Sequence, residues 1–288
     1  MNGGGVAVIL VATDEGPLLL AAIESLFESA PERLGGVVVV DNASTDGTGE
    51  EVARRWRAVR VLRRSRRHRL PANLNVGVAV TAAPYVLVCN PDVTFLPGAV
   101  DRLAAFLDAH PRAGVAGPKL LTPRGETWRS ARRWYDVRAL LALRWPGTAD
   151  PAASPWARRS LYPDWDLCAP RHVDWVPCPA TMVRRAALAE VGGFDERFRA
   201  YFEDVDLCLR LHEAAWEIWC VPEAEVVHLW RLASRSPLSA AWFLHLESLV
   251  RFVCKHRGLA PREERPDHRG GAAAQHHEAL AVHSWSAR

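Results

Sequence analysis

The sequence predicts an α/β domain with a mainly parallel central sheet flanked by helices. Three observations carry this expectation. Short apolar, β-branched runs alternate with stretches of helical spacing, as in strands joined by crossover helices. The strand-like runs are apolar at consecutive positions rather than alternate ones, which is the pattern of strands buried on both faces. Polar punctuation rich in Asp, Asn and Thr follows three of them, where open α/β sheets bind ligands.

Val6 to Ala12 is the first such run, and Leu19, Ile23, Leu26 and Phe27 give Leu18 to Glu28 helical spacing. Val37 to Val40 is a second strand stopped at Asp41-Asn42, followed by a helix with Thr48 as its expected cap. Val59 to Leu62 reads as a third strand, Asn75 to Thr81 as a helix, and Tyr85 to Cys89 as a fourth strand ending at Asn90-Pro91-Asp92. Pro97 near its first turn and Pro111 beyond its end bound a helix over Pro97 to His110. From Gly125 to Arg171 regularity fades, and Trp128, Trp134, Trp145, Trp156 and Trp165 stand among arginines and prolines. An irregular insertion of this length reads as a binding loop, its tryptophans suited either to packing or to stacking on a ligand.

Order returns with a strand over Val173 to Val183, a helix from Arg184 to Val191, and strands near Glu217 to Val221 and Ala224 to His228. Ser239 to His256 has amphipathic spacing, with Trp242, Leu246, Leu249 and Val253 on one face. Residues 1–235 are thus expected to form the main α/β domain and 236–258 a C-terminal helix. The Pro-, Arg-, Glu- and His-rich stretch 259–288 reads as a disordered tail.

Composition narrows the function. Of 288 residues, 49% are hydrophobic and 24% charged, which supports a sizeable core rather than disorder. A net charge of +3 does not by itself point to nucleic acid. No apolar run approaches the ~20 residues that span a bilayer, and the start lacks a secretory signal pattern. A cytoplasmic protein, working at most at the inner face of the membrane, is expected. The six cysteines form no CxxC pair and read as reduced thiols rather than a disulfide framework or a zinc site.

Three loops share the predicted rim: Thr13-Asp14-Glu15, Asp41-Asn42 and Asn90-Pro91-Asp92. No GxGxxG follows the first strand and no GxxxxGK[ST] occurs, so a dinucleotide fold and a P-loop are both disfavoured. Carboxylates could hold a nucleotide instead, with Asp41 accepting from a base N–H and Asp92 binding a cation on the diphosphate. Mg2+ or Mn2+ suits this, because such ions need only one or two protein carboxylates beside phosphate oxygens. Taken singly, each pair is equally an ordinary turn. Tyr201 to Arg210 is more informative: Glu203, Asp204 and Asp206 lie within four positions, among Tyr201, Phe202, Val205 and Leu207. Ionised groups beside apolar surface call for a cation or a proton-transfer task; the plainer reading is an acidic first turn of a helix.

Taken together, VVVVDNASTDGT (37–48), NVG (75–77), CNPDV (89–93), VGGFDERF (191–198) and YFEDVDLCLR (201–210) resemble family 2 glycosyltransferases of the GT-A fold, in particular the rhamnosyltransferase-like branch. The likeness runs from about Val6 to about His256. It implies a nucleotide-sugar donor of dTDP or UDP type, a divalent cation, transfer with inversion, and a hydroxyl acceptor such as a lipid-linked glycan or natural product. By position it puts Thr13, Asp41, Asn75 and Asn90 on the donor, Asp92 and His228 on the metal, and Asp204 as general base. Trp175, Cys178, Glu203 and Asp206 fall on the acceptor side. The chain departs from the pattern where Thr13-Asp14 replaces Thr-Tyr-Asn, Asn90 replaces the first acid of Asp-x-Asp, and Cys178 and Ala215 replace glycines.

Rival readings are a nucleotidyltransferase, disfavoured because Thr13 to Pro17 offers no Gly-rich basic loop, and a non-catalytic sugar-nucleotide-binding scaffold. The nine arginines between Arg54 and Arg69 read as a solvated face, or as attraction to anionic lipid or a polyprenyl diphosphate.

Overall fold

The computed structural model describes residues 5–135, 155–229 and 239–260. The start of the chain, Trp145 in the insertion, and the expected tail from residue 261 lie outside the described residues.

In chain order the first half comprises β1 (Val6–Ala12), α1 (Gly16–Glu28), β2 (Leu34–Asp41), α2 (Thr48–Arg55), β3 (Val59–Arg63), α3 (Leu70–Ala79) and β4 (Tyr85–Cys89). It continues with β5 (Val93–Phe95), α4 (Ala99–Ala109), β6 (Ala113–Leu121) and β7 (Thr127–Trp128). Then come α5 (Pro155–Arg159), β8 (Arg171–His172), β9 (Ala180–Arg184), α6 (Arg185–Glu190), α7 (Glu203–Glu213), β10 (Glu217–His228) and α8 (Ala240–His256).

One sheet runs in the order β3-β2-β1-β4-β9-β6-β10-β5, with β7 beside β6 and β8 beside β10. The pairs β3–β2, β2–β1, β1–β4 and β6–β10 are parallel. β9 lies antiparallel between β4 and β6, and β5 antiparallel on β10. β1 is buried at all seven positions, and its side chains divide between the two faces. Val6, Val8 and Leu10 join α1 and α4 in one core. Ile9 and Val11 join Leu74, Phe198, Leu209 and Phe252 in the other. Gly77, the glycine of the NVG motif, lets α3 sit this close: a Cβ there would stand 2.5 Å from Ile9 Cγ2.

Several expected elements are corrected. α3 starts five residues earlier than its spacing suggested, with Pro71 in its first turn. Thr48 does not cap α2. The cap is Gly47 at φ +78°, and Thr48 instead donates its N–H to Asp46 Oδ1 at 3.0 Å. The strand expected over Val173 to Val183 is only β9, preceded by an isolated bridge between Trp175 and Arg132. The two strands expected near the C-terminus are one, β10, whose pairing with β6 shifts register between Val221 and Glu225. Central β6 escaped sequence reading because Gly114, Gly117 and Pro118 punctuate it. The glycines are there because a Cβ at 114 or 117 would come within 3.0 Å of Trp216 or Val176. On α8 the buried residues are Ser248 and Phe252, so the helix is turned from the expected face, and Val253 is exposed.

Ala215, between α7 and β10, sits at φ +63°, a conformation costly for any residue with a Cβ. Ala215→Gly should therefore stabilise the fold by about 1 kcal/mol, read as a higher midpoint in urea unfolding.

Candidate functional site

Because β5 and β9 run against their neighbours, the edge holding the carboxyl ends of β1, β2, β4 and β10 also holds the residues that precede β5 and β9. That topology brings Thr13, Asp41, Asn90, Asp92, Cys178 and His228 to one edge.

Asn42 organises one side of it. Its Nδ2 donates to Thr13 Oγ1 at 3.0 Å and to the His68 carbonyl at 3.1 Å, while its Oδ1 accepts from the His68 N–H at 2.7 Å. The arginine-rich loop after β3 is thereby tied to the loops after β1 and β2. Several of the arginines are paired within the fold: Arg54 and Arg55 with Glu51, Arg63 with Glu50, and Arg67 with Asp14. Asp41 is fully buried. Its Oδ1 accepts from the Ser44 N–H at 2.9 Å, while Oδ2 makes no hydrogen bond and lies 3.3 Å from Arg63 Nε. That oxygen keeps a free acceptor site beside Arg63.

Asn75 is differently used than its motif implied. Its Nδ2 donates to the Phe194 carbonyl and to Glu196 Oε1, both at 2.9 Å, and its Oδ1 accepts from the Phe194 N–H at 2.9 Å. The amide stitches α3 to the Gly193–Glu196 loop instead of facing a ligand. Asn90 is half-buried and donates its backbone N–H to the Pro179 carbonyl at 2.9 Å, joining the loops that flank β4 and β9.

At the β10–β5 end of the edge, His228 Nε2 lies 3.3 Å from Asp92 Oδ1. The ladder sets this distance: His228 pairs with Val93, and the Leu229 N–H donates to the Asp92 carbonyl at 3.0 Å. Adjacent ligands of an octahedral ion with ~2.1 Å bonds stand about 3 Å apart, so the pair fits one small hard cation. Among the described residues no group of three or more His, Cys, Asp or Glu could hold a metal. The other positions around a cation here would fall to phosphate oxygens and water, the usual arrangement for Mg2+ and Mn2+.

The His228 ring lies 5.8 Å from that of Trp128, and the Arg132 guanidinium stands 5.7 Å over the same tryptophan. Arg132 also acts electrostatically on Asp204. Sequence reading passed over Arg132; a tryptophan and an arginine four residues apart were its only signal.

The chain enters α7 through Tyr201 and Phe202, both at positive φ (+67° and +64°), a backbone cost of roughly 1–3 kcal/mol each. Three carboxylates follow, with different surroundings. Burial pushes Glu203 up to about 8, reinforced by the neighbouring Asp204 charge, and its Oε2 is buried without a hydrogen-bond partner. Burial likewise pushes Asp204 up, to about 6, opposed by the backbone amides of Val205 and Cys178 and by Arg132. Near neutral pH the two neighbouring carboxyls therefore share one proton and one negative charge. The Cys178 thiol is pushed well up by its burial and by Asp204, so it stays neutral and is no nucleophile.

Two residues expected on the acceptor side are corrected. Trp175 is buried beneath the segment before residue 136, where its Nε1 donates to the Arg133 carbonyl at 3.1 Å and its ring meets Tyr135 at 5.3 Å. Asp206 faces away from the edge. Its Oδ2 accepts from Arg210 Nε at 2.8 Å, and its Oδ1 meets Lys255 Nζ at 2.5 Å and His256 Nε2 at 2.8 Å. Burial raises this carboxyl, but His256, Arg210 and Lys255 outweigh it and hold it below its ordinary value. Asp206 clamps α8 onto α7.

The model of Glycosyl transferase family 2 matches residues 7–191. The chain belongs to this family. N-acetylglucosaminyl-diphospho-decaprenol L-rhamnosyltransferase of Mycobacterium tuberculosis is 33% identical over 293 residues, covering 94% of this chain and 91% of that protein. Rhamnosyltransferase WbbL of Escherichia coli is 37% identical over 90 residues, 31% of this chain and 34% of its own. Among solved structures, GalNAc-T7 with UDP, GalNAc and Mn2+ has a TM-score of 0.63 at 16% identity, covering 86% of this chain and 48% of that one. Mannosyltransferase PcManGT from Pyrobaculum calidifontis, in complex with GDP-Man and Mn2+, has a TM-score of 0.58 at 21% identity, covering 89% of this chain and 65% of that one. The fold is GT-A, and the family 2 chain is a rhamnosyltransferase-like glycosyltransferase. The nucleotidyltransferase and scaffold readings fall away.

Asp206→Asn should cost about 3–5 kcal/mol, since it leaves the cations around a buried site uncompensated. The stability that this carboxylate confers is full above its unfolded value of 3.8 and is lost as pH falls through its lowered folded value. Denaturant titrations of both proteins at neutral and acid pH should show the difference shrinking in acid.

Proposed function

We propose that this glycosyltransferase moves rhamnose from a dTDP- or UDP-linked donor to a hydroxyl of a lipid-linked glycan, with inversion at the anomeric carbon. The observation that carries the reading is the division of labour along one edge. A cation-fitting pair, Asp92 and His228, is linked through Trp128 and Arg132 to the buried carboxyls of Asp204 and Glu203, whose burial and mutual charge raise both. The donor half of the edge comprises Thr13, Asp41 and Asn90, with Asn75 left out because its amide is already used. Support for the acceptor comes from the M. tuberculosis relative, whose name specifies a diphospho-decaprenol-linked sugar and which this chain matches over 91% of its length.

Asp204 is the general base. It accepts the proton of the attacking hydroxyl as the new bond from that oxygen to the anomeric carbon forms and the bond to the diphosphate breaks on the opposite side. The backbone amides of Val205 and Cys178 keep the carboxylate ionised until then. A proton shared with Glu203 avoids a second charge beside the base. Asp92 and His228 would hold a divalent cation, whose charge would offset that of the leaving diphosphate. Arg132, between the two ends, adds a fixed positive charge. Tryptophan stacking supports Arg132 without removing that charge.

Asp204→Asn should lower turnover by roughly 10²-fold or more, the scale of general-base catalysis, with donor affinity nearly unchanged. In the wild type, kcat should fall as pH drops through the raised value of Asp204, about 6, because the protonated base cannot accept a second proton. A pH–rate profile of wild type and the Asn variant tests both statements; joint loss of turnover and donor binding would instead make Asp204 structural.

Asp92→Asn should abolish cation-dependent donor binding, because a neutral amide is a poor ligand for a hard divalent ion. Calorimetry of dTDP and UDP binding with and without Mn2+ checks this, and undiminished affinity would remove Asp92 from the site.

A further inference from the structure

We infer that the outward face of α8 docks on a bilayer with anionic headgroups and so delivers the acceptor side of the site to its substrate; this rests on the lipid-linked acceptor proposed above. The inner face of α8 is bound to the segment that leads into Glu203 and Asp204. His245 lies 5.2 Å from the ring of Tyr201 and 5.1 Å from that of Phe202, and Ser248 Oγ donates to the Ala200 carbonyl at 2.7 Å. The outer face is apolar and uncovered: Phe243 is 53%, Val250 54% and Val253 36% exposed. With Leu246 these residues recur at alternating steps of three and four, which is a single stripe on a helix.

An open groove of about 700 Å³ follows the stripe, lined by Phe243, Leu246, Val250 and Cys254. Arg197, Arg251 and Lys255 line it too, and exposed Arg199 pairs with its carboxylate Glu247 while exposed Arg257 caps the end of α8. These five cations outnumber the carboxylates Asp195, Asp206 and Glu247 with which they pair, so the face keeps an excess of positive charge. An apolar stripe edged by cations complements acyl chains beneath anionic headgroups. The same excess of positive charge would repel a second copy of the chain. No described helix is long and apolar enough to cross a membrane, so contact through a helix lying in the interface is the mode that fits.

Cys254 reports on this face directly. With the other exposed thiol removed by Cys168→Ser, an environment-sensitive dye on Cys254 should brighten and shift to the blue with phosphatidylglycerol vesicles. The response should be much weaker with phosphatidylcholine alone and should diminish as salt is raised. Phe243→Ser with Val250→Ser should weaken partitioning by at least about tenfold. It should lower transfer to an acceptor embedded in vesicles while leaving transfer to a short-chain, water-soluble acceptor unchanged. No response to anionic vesicles would overturn the inference, as would a blue shift that grows with protein concentration without lipid, which marks a second copy. A dye already shielded in dilute lipid-free protein would also overturn it, the face then being covered by the chain itself. If the wild type binds vesicles but transfers to neither acceptor, the proposed function fails while the docking face stands.

Discussion

A carboxylate with no exposure to water needs partners to stay ionised, and Asp206 has two cations, Arg210 and Lys255, together with the His256 ring. Arg210 reaches it from one turn further along α7, whereas Lys255 and His256 arrive from the last turn of α8. Arg210 also donates to the carbonyls of Val191 and Gly193 at 2.7 and 2.8 Å. The cluster therefore fixes α7 against α8 and against the turn after α6 in a single arrangement. Glu203 and Asp204 sit on the same first turn, and their position is inherited from it. Neighbours in sequence, the three acids divide into one that holds the helix and two whose protonation is set by burial.

The donor half of the edge was the more legible part in the sequence. β1 and β4 match their apolar runs residue for residue because strands buried on both faces leave no alternation to misread. The polar loops that follow them were visible as well. β6 was hidden by glycines whose purpose is packing against Trp216 and Val176, partners more than 50 residues away in the chain. Local propensity cannot report such a contact.

Motif residues were visible without their tasks. Asn75 and Asp206 both stand in recognisable motifs, yet both spend their polar atoms on the fold, one closing the Gly193 loop and the other tying two helices. Arg132 had the opposite fate: no motif announced it, and only the pairing of its backbone with Trp175, at 3.0 and 3.2 Å, brings it beside Asp204. A sequence pattern identifies positions where chemistry or architecture is demanding, and three-dimensional partners decide which of the two applies.

The reversed strand β9 has a consequence for how this architecture can diverge. In a wholly parallel sheet, a segment joining neighbouring strands must travel back to the opposite end before re-entering. Here β6 leaves at the working edge and β9 enters from it, so everything between Leu121 and Ala180 starts and finishes on the same side. Apart from the short strands β7 and β8 and the Arg132–Trp175 bridge, the intervening chain can lengthen, shorten or change composition without disturbing the pairing of the central strands. Residues 6–92, which build the other half of the edge, are untouched by such changes. One half can thus be conserved as a fixed handle while the other is rewritten for new recipients.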